Sequence, residues 1–309
     1  MKILFIVPHV RPYNSQSVRE QPTGGTERAA TFLGEALMRL GHEVRWITTF
    51  TDALEFDTVW PEVVITQHAE YFLKLPTHTR KIWWCHQATD RPFIWEGARI
   101  ARRYADDVVT LSQFHQRDFA RALGIESTAI GYGIWHEEVQ TAAKNPSRLV
   151  YCSVPHRGLE LVADLFPLIR EQVPDASIAI CSSMATWGMA DEDAQFRELF
   201  DRLAAMPGVI LKGACAQQQL WCELAAASIF FYPCIYEETY CMAMDEAMAH
   251  GCVPVIPSIG ALPERWPPSY RLVHRVVEEI GLARARARHV TRPHSWMAIA
   301  EKWQSVLLG

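Results

Sequence analysis

The chain has 309 residues, of which 49% are hydrophobic, and this is enough for two domains with large buried cores. Its formal net charge of −5 excludes the broad basic surface of a protein that binds nucleic acid non-specifically. The apolar start Ile3–Val7 is too short for a secretory signal, and no apolar run approaches the roughly 18 residues of a membrane span. We therefore expect a globular protein.

The eight cysteines favour a reducing compartment, because none forms a Cys-x-x-Cys pair and most lie inside apolar segments. No set of cysteines and histidines has the spacing of zinc ligands. We expect buried free thiols, a cytoplasmic location and no bound metal.

Short apolar runs alternate with helical patterns along the first half of the chain, which is typical of a parallel α/β sheet. The predicted strands are Lys2–Val7, Glu43–Thr49, Val63–His68, Lys81–His86, Asp107–Ser112 and Thr128–Tyr132. The predicted helices are Thr26–Leu40, Pro92–Tyr104 and Gln113–Leu123.

Gly24 and Gly25 form a glycine pair that opens the first long helix after the first strand. Such a pair lets backbone N–H groups approach an anion. A plain tight turn is the alternative for any single glycine pair.

The helix predicted at Pro92–Tyr104 carries Arg99, Arg102 and Arg103, and could lie on an anionic membrane surface. A solvated face packed on the sheet is the default interpretation. The alternating arginines of Ala283–Arg288 are likewise interpreted as a solvated helix face.

Periodicity is lost over Gly133–Ser147, which is the candidate linker, and a second alternating set follows it. The predicted strands are Arg148–Val154, Ala176–Ser183, Val209–Gly213, Ile229–Tyr232 and Val253–Ile256. The predicted helices are Leu159–Gln172, Asp191–Ala205, Gln217–Ser228, one from Thr239 to a stop at Gly251, Val273–Ile280 and Ser295–Leu308. The acidic triplet Asp191–Asp193 fits a helix cap better than a metal motif.

Glu238 lies at the entrance of the helix predicted from Thr239, and Glu246 follows eight residues later within that helix. They belong to a strand–helix–strand unit, where ligands bind at the strand ends. Glu238 and Glu246 would be about 12 Å apart along a helix axis. The paired carboxylates of a glycosidase lie about 5 to 10 Å apart. The spacing therefore suits two ends of an extended ligand, while an ordinary surface charge is the alternative for Glu246.

The stretch that contains these glutamates resembles the donor-site signature of glycosyltransferase family 4, a retaining group with the GT-B architecture. The matching residues are Glu238, Glu246, Ala247-Met248-Ala249, Gly251, Pro254-Val255, Gly260 and Pro263-Glu264. One departure is Thr239-Tyr240-Cys241, where the family usually has Gly-Phe-Gly. Losing both glycines limits how closely the backbone can approach a pyrophosphate.

The resemblance implies an abbreviated GT-B protein, with two Rossmann-like domains and parallel sheets that face a cleft. Residues 1–140 would form the N-terminal, acceptor-side domain, and residues 148–290 the nucleotide-sugar-binding domain. Residues 291–309 would form a helix that packs back on the first domain.

The resemblance also implies the roles of individual residues. His86, Arg157 and Glu238 would be catalytic, with His86 and Glu238 on the donor sugar and Arg157 on the diphosphate. The other expected donor contacts are Gly24, Gly25, Lys212, Thr239, Tyr240, Cys241 and Glu246, the last on the ribose hydroxyls. A second family cation is missing, because Tyr151 occupies its position, unless Arg148, Lys212 or an arginine of the first domain replaces it.

The implied activity is retaining glycosyl transfer from a UDP- or GDP-sugar, without a metal or other cofactor. The acceptor would be a glycan, lipid, protein or small molecule. The alternatives are a non-catalytic partner subunit of another transferase and a sugar epimerase or phosphorylase on the same fold. The missing cation and glycines favour the non-catalytic subunit, whereas Glu238, Glu246 and His86 favour an enzyme.

Overall fold

The computed structural model describes residues 1–285, 290 and 292–309, and its first half is a six-stranded parallel sheet. The strands are β1 Lys2–His9, β2 Glu43–Thr49, β3 Val63–Thr66, β4 Arg80–Trp84, β5 Asp107–Thr110 and β6 Thr128–Ala129. Their order in the sheet is β2-β1-β3-β4-β5-β6, so β1 lies inside the sheet and is buried along most of its length.

The helices of the first half pack on this sheet and begin where the sequence signals place them. They are α1 Ser17–Glu20, α2 Gly25–Arg39, α3 Pro92–Tyr104 and α4 Gln113–Leu123, with 3-10 turns at Ala69–Lys74 and His136–Glu138. The bounds predicted for α3 and α4 are confirmed. Pro92 occupies the first position of α3, the Ser112 side chain caps α4, and Gly124 ends α4 with φ +60°.

The second half is a five-stranded parallel sheet with helices around it. Its strands are β7 Asn145–Cys152, β8 Ser177–Cys181, β9 Val209–Leu211, β10 Ala227–Phe231 and β11 Val253–Val255, in the order β11-β10-β7-β8-β9. Its helices are α5 Leu159–Gln172, α6 Arg197–Ala204, α7 Gln217–Ala226, α8 Met242–Ala249 and α9 Leu272–Ala285. Short 3-10 turns lie at Pro155–Arg157, Met184–Trp187, Ala190–Phe196 and Leu262–Glu264.

The last helix, α10 Trp296–Leu308, returns to the first half of the chain. Trp296 and Trp303 are almost fully buried in the core around β1 and α2. The ring of Trp303 lies 5.2 Å from that of Trp84, and the ring of Trp296 lies 6.0 Å from that of Phe32. Burying two indoles stabilises this return strongly, since each side chain removes on the order of 200 Å² from water.

The helix predicted from Thr239 starts too early. The first residue of α8 is Met242, and Cys241 before it has φ 106° and ψ 79°, which is incompatible with a helix. Thr239, Tyr240 and Cys241 therefore form a loop at the helix N-terminus instead of its first turn.

The predicted start of the second half is also wrong, and so is the single helix predicted from Asp191. Strand β7 begins at Asn145, inside the predicted linker, and tolerates Pro146 because its pairing with β10 is irregular there. The region predicted as one helix from Asp191 is a 3-10 turn followed by α6. Asp193 accepts the Met184 N–H at 2.7 Å, so it caps the preceding turn at Met184–Trp187.

Most other predicted helices and strands are present in the structure, but their ends differ from the predicted ones. Several strands stop two residues or more before their predicted ends, because the chain bends there into the loops around the cleft. Helix α9 is longer than predicted, and Arg284 on it pairs with Asp175. Residues 286–289, which complete the alternating arginines, lie outside the described residues. In the described parts of the chain no helix is long and apolar enough to cross a membrane.

Candidate active site

A cavity of about 740 Å³ lies between the two sheets and collects most of the predicted site residues. The predicted residues that line it are Gly24, Gly25, His86, Arg157, Glu238, Thr239, Tyr240 and Cys241. They come from both halves of the chain, at the ends of strands and the starts of helices. This is the place where open parallel sheets bind ligands.

Arg157 and Glu238 form a buried ion pair at the second-domain side of the cavity. The Nη1 of Arg157 lies 2.6 Å from the Oε1 of Glu238, and the Tyr232 hydroxyl donates to the same oxygen at 2.6 Å. The guanidinium also lies 4.4 Å from the ring centroid of Tyr236 and 5.5 Å from that of Trp187. Burial opposes the charge, but Glu238 keeps the pKa of Arg157 above its usual value.

The backbone of Glu238 is held from behind by the loop that contains the Gly-x-x-Pro-Glu motif. The Ala261 N–H donates to the Glu238 carbonyl at 2.8 Å. Gly260 has φ +56°, and a Cβ at this position would lie 2.6 Å from both N and O of Glu238. The close packing therefore requires glycine and fixes where the Glu238 carboxylate points.

His86 lines the same cavity from the first domain, two residues after the end of β4. Its Nδ1 lies 2.7 Å from the Tyr132 hydroxyl, and its ring packs 4.4 Å from that of Trp84. Burial lowers the pKa of His86 to about 3, so the imidazole is neutral. In the tautomer in which the Tyr132 hydroxyl donates to Nδ1, the ring proton sits on Nε2. This Nε2 is buried and has no partner among the described residues.

The loop Thr239–Cys241 joins the two halves of the cavity wall. The Thr239 hydroxyl donates to the His86 carbonyl at 2.9 Å, and the Tyr240 hydroxyl contacts the Tyr132 carbonyl at 3.2 Å. Tyr240 also donates to Asp245 at 2.7 Å, and burial raises the pKa of that carboxyl to about 6. Hydrogen bonds of these side chains thus hold the loop where the family has glycines.

Gly24 and Gly25 begin α2, and their backbone faces the cavity. A Cβ on Gly24 would lie 2.5 Å from Oε2 of Glu27, so the glycine makes room for that carboxylate. The Oε1 of Glu27 lies 3.4 Å from the Nε2 of His9. The first-turn N–H groups of this 15-residue helix remain available to an anion.

Glu246 lies on α8 outside the main cavity and is held by two residues that line it. The Nη1 of Arg28 lies 2.6 Å from the Oε1 of Glu246, and the Gln217 side chain donates to the same oxygen at 2.5 Å. Burial raises the pKa of Glu246, and the Arg28 charge opposes this rise. Glu246 thus joins the second domain to α2 of the first.

Lys212 does not line the cavity. Its Nζ lies 2.8 Å from Glu223, and this acid also pairs with Arg148. The structure therefore separates Lys212 from the other predicted residues, and its donor contact remains a prediction.

Sequence reasoning missed Arg28, Gln217, Tyr132 and Tyr232, which position the predicted residues. Arg28 follows the matched Gly24–Glu27 motif directly and lies one helical turn beyond Gly24. Its carboxylate partner is 218 positions away, so no local pattern reveals the pair.

Part of the chain is similar to a known family, and its fold is similar to solved structures. Residues 146–280 match the family model Glycosyl transferases group 1. No curated protein sequence matches the chain. The solved structure of Anabaena HepE in complex with UDP-glucose aligns with a TM-score of 0.75 and 15% identity over 100% of this chain and 99% of that one.

Two further solved structures align over nearly their whole length. Sucrose-phosphate synthase from Thermosynechococcus elongatus has a TM-score of 0.74 and 15% identity, over 100% of this chain and 98% of that one. A glycosyltransferase from Rickettsia africae has a TM-score of 0.69 and 14% identity, over 99% and 97%.

At 14–15% identity these structures establish the fold alone. That fold is GT-B, which confirms the expected fold class. The matched residues 146–280 span most of the second sheet and its helices. Most of the second half of the chain is therefore similar to the group 1 glycosyltransferases.

Proposed function

We propose that this chain is a retaining, metal-independent glycosyltransferase that moves a hexose-type sugar from a nucleotide sugar to an acceptor of still open class. A UDP-sugar is the first candidate donor, because the aligned HepE structures contain UDP-glucose and UDP. A GDP-sugar is the second candidate. The acceptor would enter from the side of the first domain.

One observation carries the proposal: three buried nitrogens around the same cavity have no partner among the described residues. They are Nε of Arg28, Nε2 of His86 and Nε of Arg157. A buried polar group without a partner costs about 1–3 kcal/mol, so native proteins rarely keep several in one place. A ligand with phosphate and hydroxyl oxygens would accept hydrogen bonds from all three.

The cavity offers the groups that glycosyl transfer requires. Breaking the bond between the sugar carbon and the phosphate oxygen leaves the electron pair on the diphosphate. Arg157, the amides of Thr239–Cys241 and those of Gly24 and Gly25 would stabilise this charge, because fixed donors in a dry site act strongly on developing charge.

The donor sugar would lie between the two domains. Among the described residues, both bonds to the Glu238 carboxylate end on Oε1, which leaves Oε2 for sugar hydroxyls. The neutral His86 would donate from Nε2 to the sugar on the opposite side. These two contacts would orient the sugar while the acceptor oxygen replaces the phosphate oxygen on the same face.

Intrinsic hydrolysis of nucleotide sugars tests this proposal. With chelator present and no acceptor, we expect slow release of UDP or GDP from one sugar conjugate, with the released sugar first in the donor's anomeric form by proton NMR. Arg157→Gln should slow release about 100-fold or more, because it removes a fixed charge from the leaving group. Arg148→Gln, which removes a cation outside the cavity, is the matched control.

The rival functions give different results in the same assay. A sugar altered while still attached to its nucleotide would indicate an epimerase. If the protein binds a nucleotide but releases no product from any donor, this would indicate the non-catalytic partner subunit. Release of the sugar with the opposite anomeric configuration would contradict the retaining mechanism but not glycosyl transfer itself.

A further inference from the structure

The strand end that should carry the second diphosphate-binding cation has no basic residue. The last residues of β7 and those after it, Val150-Tyr151-Cys152-Ser153-Val154, are all uncharged. Tyr151 is fully buried, and its hydroxyl donates to the Val154 carbonyl at 3.2 Å. Among the described residues of the second domain, Arg157 is the one arginine or lysine that lines the cavity, although the diphosphate that leaves carries more than one negative charge.

Two basic residues of the second domain are already engaged elsewhere. Arg148 and Lys212 pair with the two carboxylate oxygens of the same residue, Glu223, and neither lines the cavity. Either would have to leave Glu223 and cross to the cavity to reach a ligand there.

Arg28 provides a second positive charge at the cavity, from the first domain. It lies in the first turn of α2, three residues after Gly25, and its side chain lines the same cavity as Arg157. Its bonds to Glu246 and Gln217 both start from Nη1, and its Nε is buried without a partner among the described residues. Among the described residues, no hydrogen bond to the protein starts from Nε or Nη2 of Arg28.

Arg28 repeats the arrangement of Arg157. In each case a glutamate of the two-glutamate motif holds Nη1 at 2.6 Å and Nε is left unpaired. A carboxylate bound at one edge fixes a planar guanidinium, so that its other edge can bind an oxyanion with two parallel N–H groups.

We propose that Arg28 is the second diphosphate-binding cation, supplied by the first domain in place of the missing residue of the second. This inference rests on the proposed function. When the bond from sugar carbon to phosphate oxygen breaks, the leaving diphosphate keeps the electron pair, and Arg28 donates N–H groups to its oxygens. Because Glu246 holds Arg28, the nucleotide would then join the two domains at one point.

Calorimetric titration with UDP and with uridine, in chelator, tests this assignment. UDP and uridine differ only in the diphosphate. Arg28→Gln should weaken UDP binding at least 10-fold and uridine binding less than 2-fold. Arg28→Lys keeps the charge but loses the two-pronged contact, so it should weaken UDP binding by a smaller factor and leave uridine unchanged. Arg148→Gln should change neither.

Other results would overturn the assignment. If the Arg28 variants bind UDP and uridine more weakly by the same factor, Arg28 acts only by holding Glu246. Unchanged binding of both would mean that Arg28 does not act on the nucleotide. If Arg28→Gln fails to fold, Arg28→Lys alone decides between these results. If wild type binds GDP instead, the same comparison is made with GDP and guanosine. Binding of no nucleotide by wild type would overturn the proposed function itself.

Discussion

Each of the two motif glutamates holds an arginine in this structure. Glu238 binds Arg157 within the second domain, and Glu246 binds Arg28 of the first. Both pairs are largely buried, where removing one partner leaves an uncompensated charge and costs about 3–5 kcal/mol. The glutamates therefore position these two arginines, which line the cavity.

Tyr132 is predicted to position His86. Tyr132→Phe removes the 2.7 Å bond to Nδ1, so the imidazole no longer has one fixed tautomer. We expect kcat to fall about 10-fold with KM for the donor little changed, as for a lost group that orients a catalytic residue. In wild type the rate should not depend on His86 titration between pH 5 and 8, because burial keeps its pKa at about 3.

Nitrogen NMR of the His86 ring separates positioning from a general loss of structure. Wild type should show one tautomer with the proton on Nε2, and Tyr132→Phe a mixture. Tyr71→Phe removes another partly buried phenol of the first domain outside the cavity and serves as the control. An unchanged tautomer in Tyr132→Phe would contradict the assignment.

The sequence predicted some of the residues that line or support the cavity and missed others. His86, Arg157 and Glu238 were predictable because each follows a strand end or a matched motif. Tyr132 and Arg28 were not, because their roles depend on partners 46 and 218 positions away. Only the fold brings these side chains together.

At the scale of elements, the loop before α8 shows how a departure from the family pattern is accommodated. Cys241 adopts φ 106°, and among the described non-glycine residues no other has a positive φ. Its backbone thus has a conformation that favours glycine, at a position where the family has one. A strained residue of this kind costs about 1–3 kcal/mol and persists because the surroundings hold it.

Substitution of Cys241 measures this strain. Cys241→Gly should be more stable to unfolding than Cys241→Ala by about 1 kcal/mol or more, because both lose the thiol but only alanine keeps a Cβ. At an ordinary helical position, alanine is more stable than glycine. Ala243 on α8 is therefore the control, and wild type should be more stable to unfolding than Ala243→Gly. Denaturant titration gives both differences, and an alanine variant at 241 as stable as the glycine variant would contradict strained backbone there.

The same loop explains why element ends were less predictable than their centres. The bounds of α3, α4 and α5 follow local signals such as Pro92, Ser112 and Gly158. Around Thr239–Cys241 the apolar spacing continues without a break, so the pattern predicts a helix. Bonds from Thr239 to His86 and from Tyr240 to Asp245 hold the loop instead, and the first of these cannot be read from nearby residues.

At the scale of the whole molecule, several contacts tie the two halves across the cavity. Arg28 contacts Glu246, and Thr239 contacts His86. On the outer rim, Glu264 accepts the Gln113 N–H at 3.0 Å at the start of α4. The long helix α10 adds two buried tryptophans to the first core. The two-sheet α/β fold could be predicted from the alternation of strands and helices along the sequence. The contacts between the two halves could be identified only from the three-dimensional structure.

Thermal unfolding tests whether the cavity between the halves binds a nucleoside diphosphate. Wild type and Glu246→Gln would be heated in chelator with UDP, GDP, ADP and their common sugar conjugates. The Tm with each ligand is compared with the Tm of the same protein without ligand. At about 100 times its Kd, a ligand should add roughly 2.7 kcal/mol of stability to wild type. We expect one base to give this shift and Glu246→Gln to lose most of it. The absence of any shift in wild type would contradict a nucleotide-sugar site.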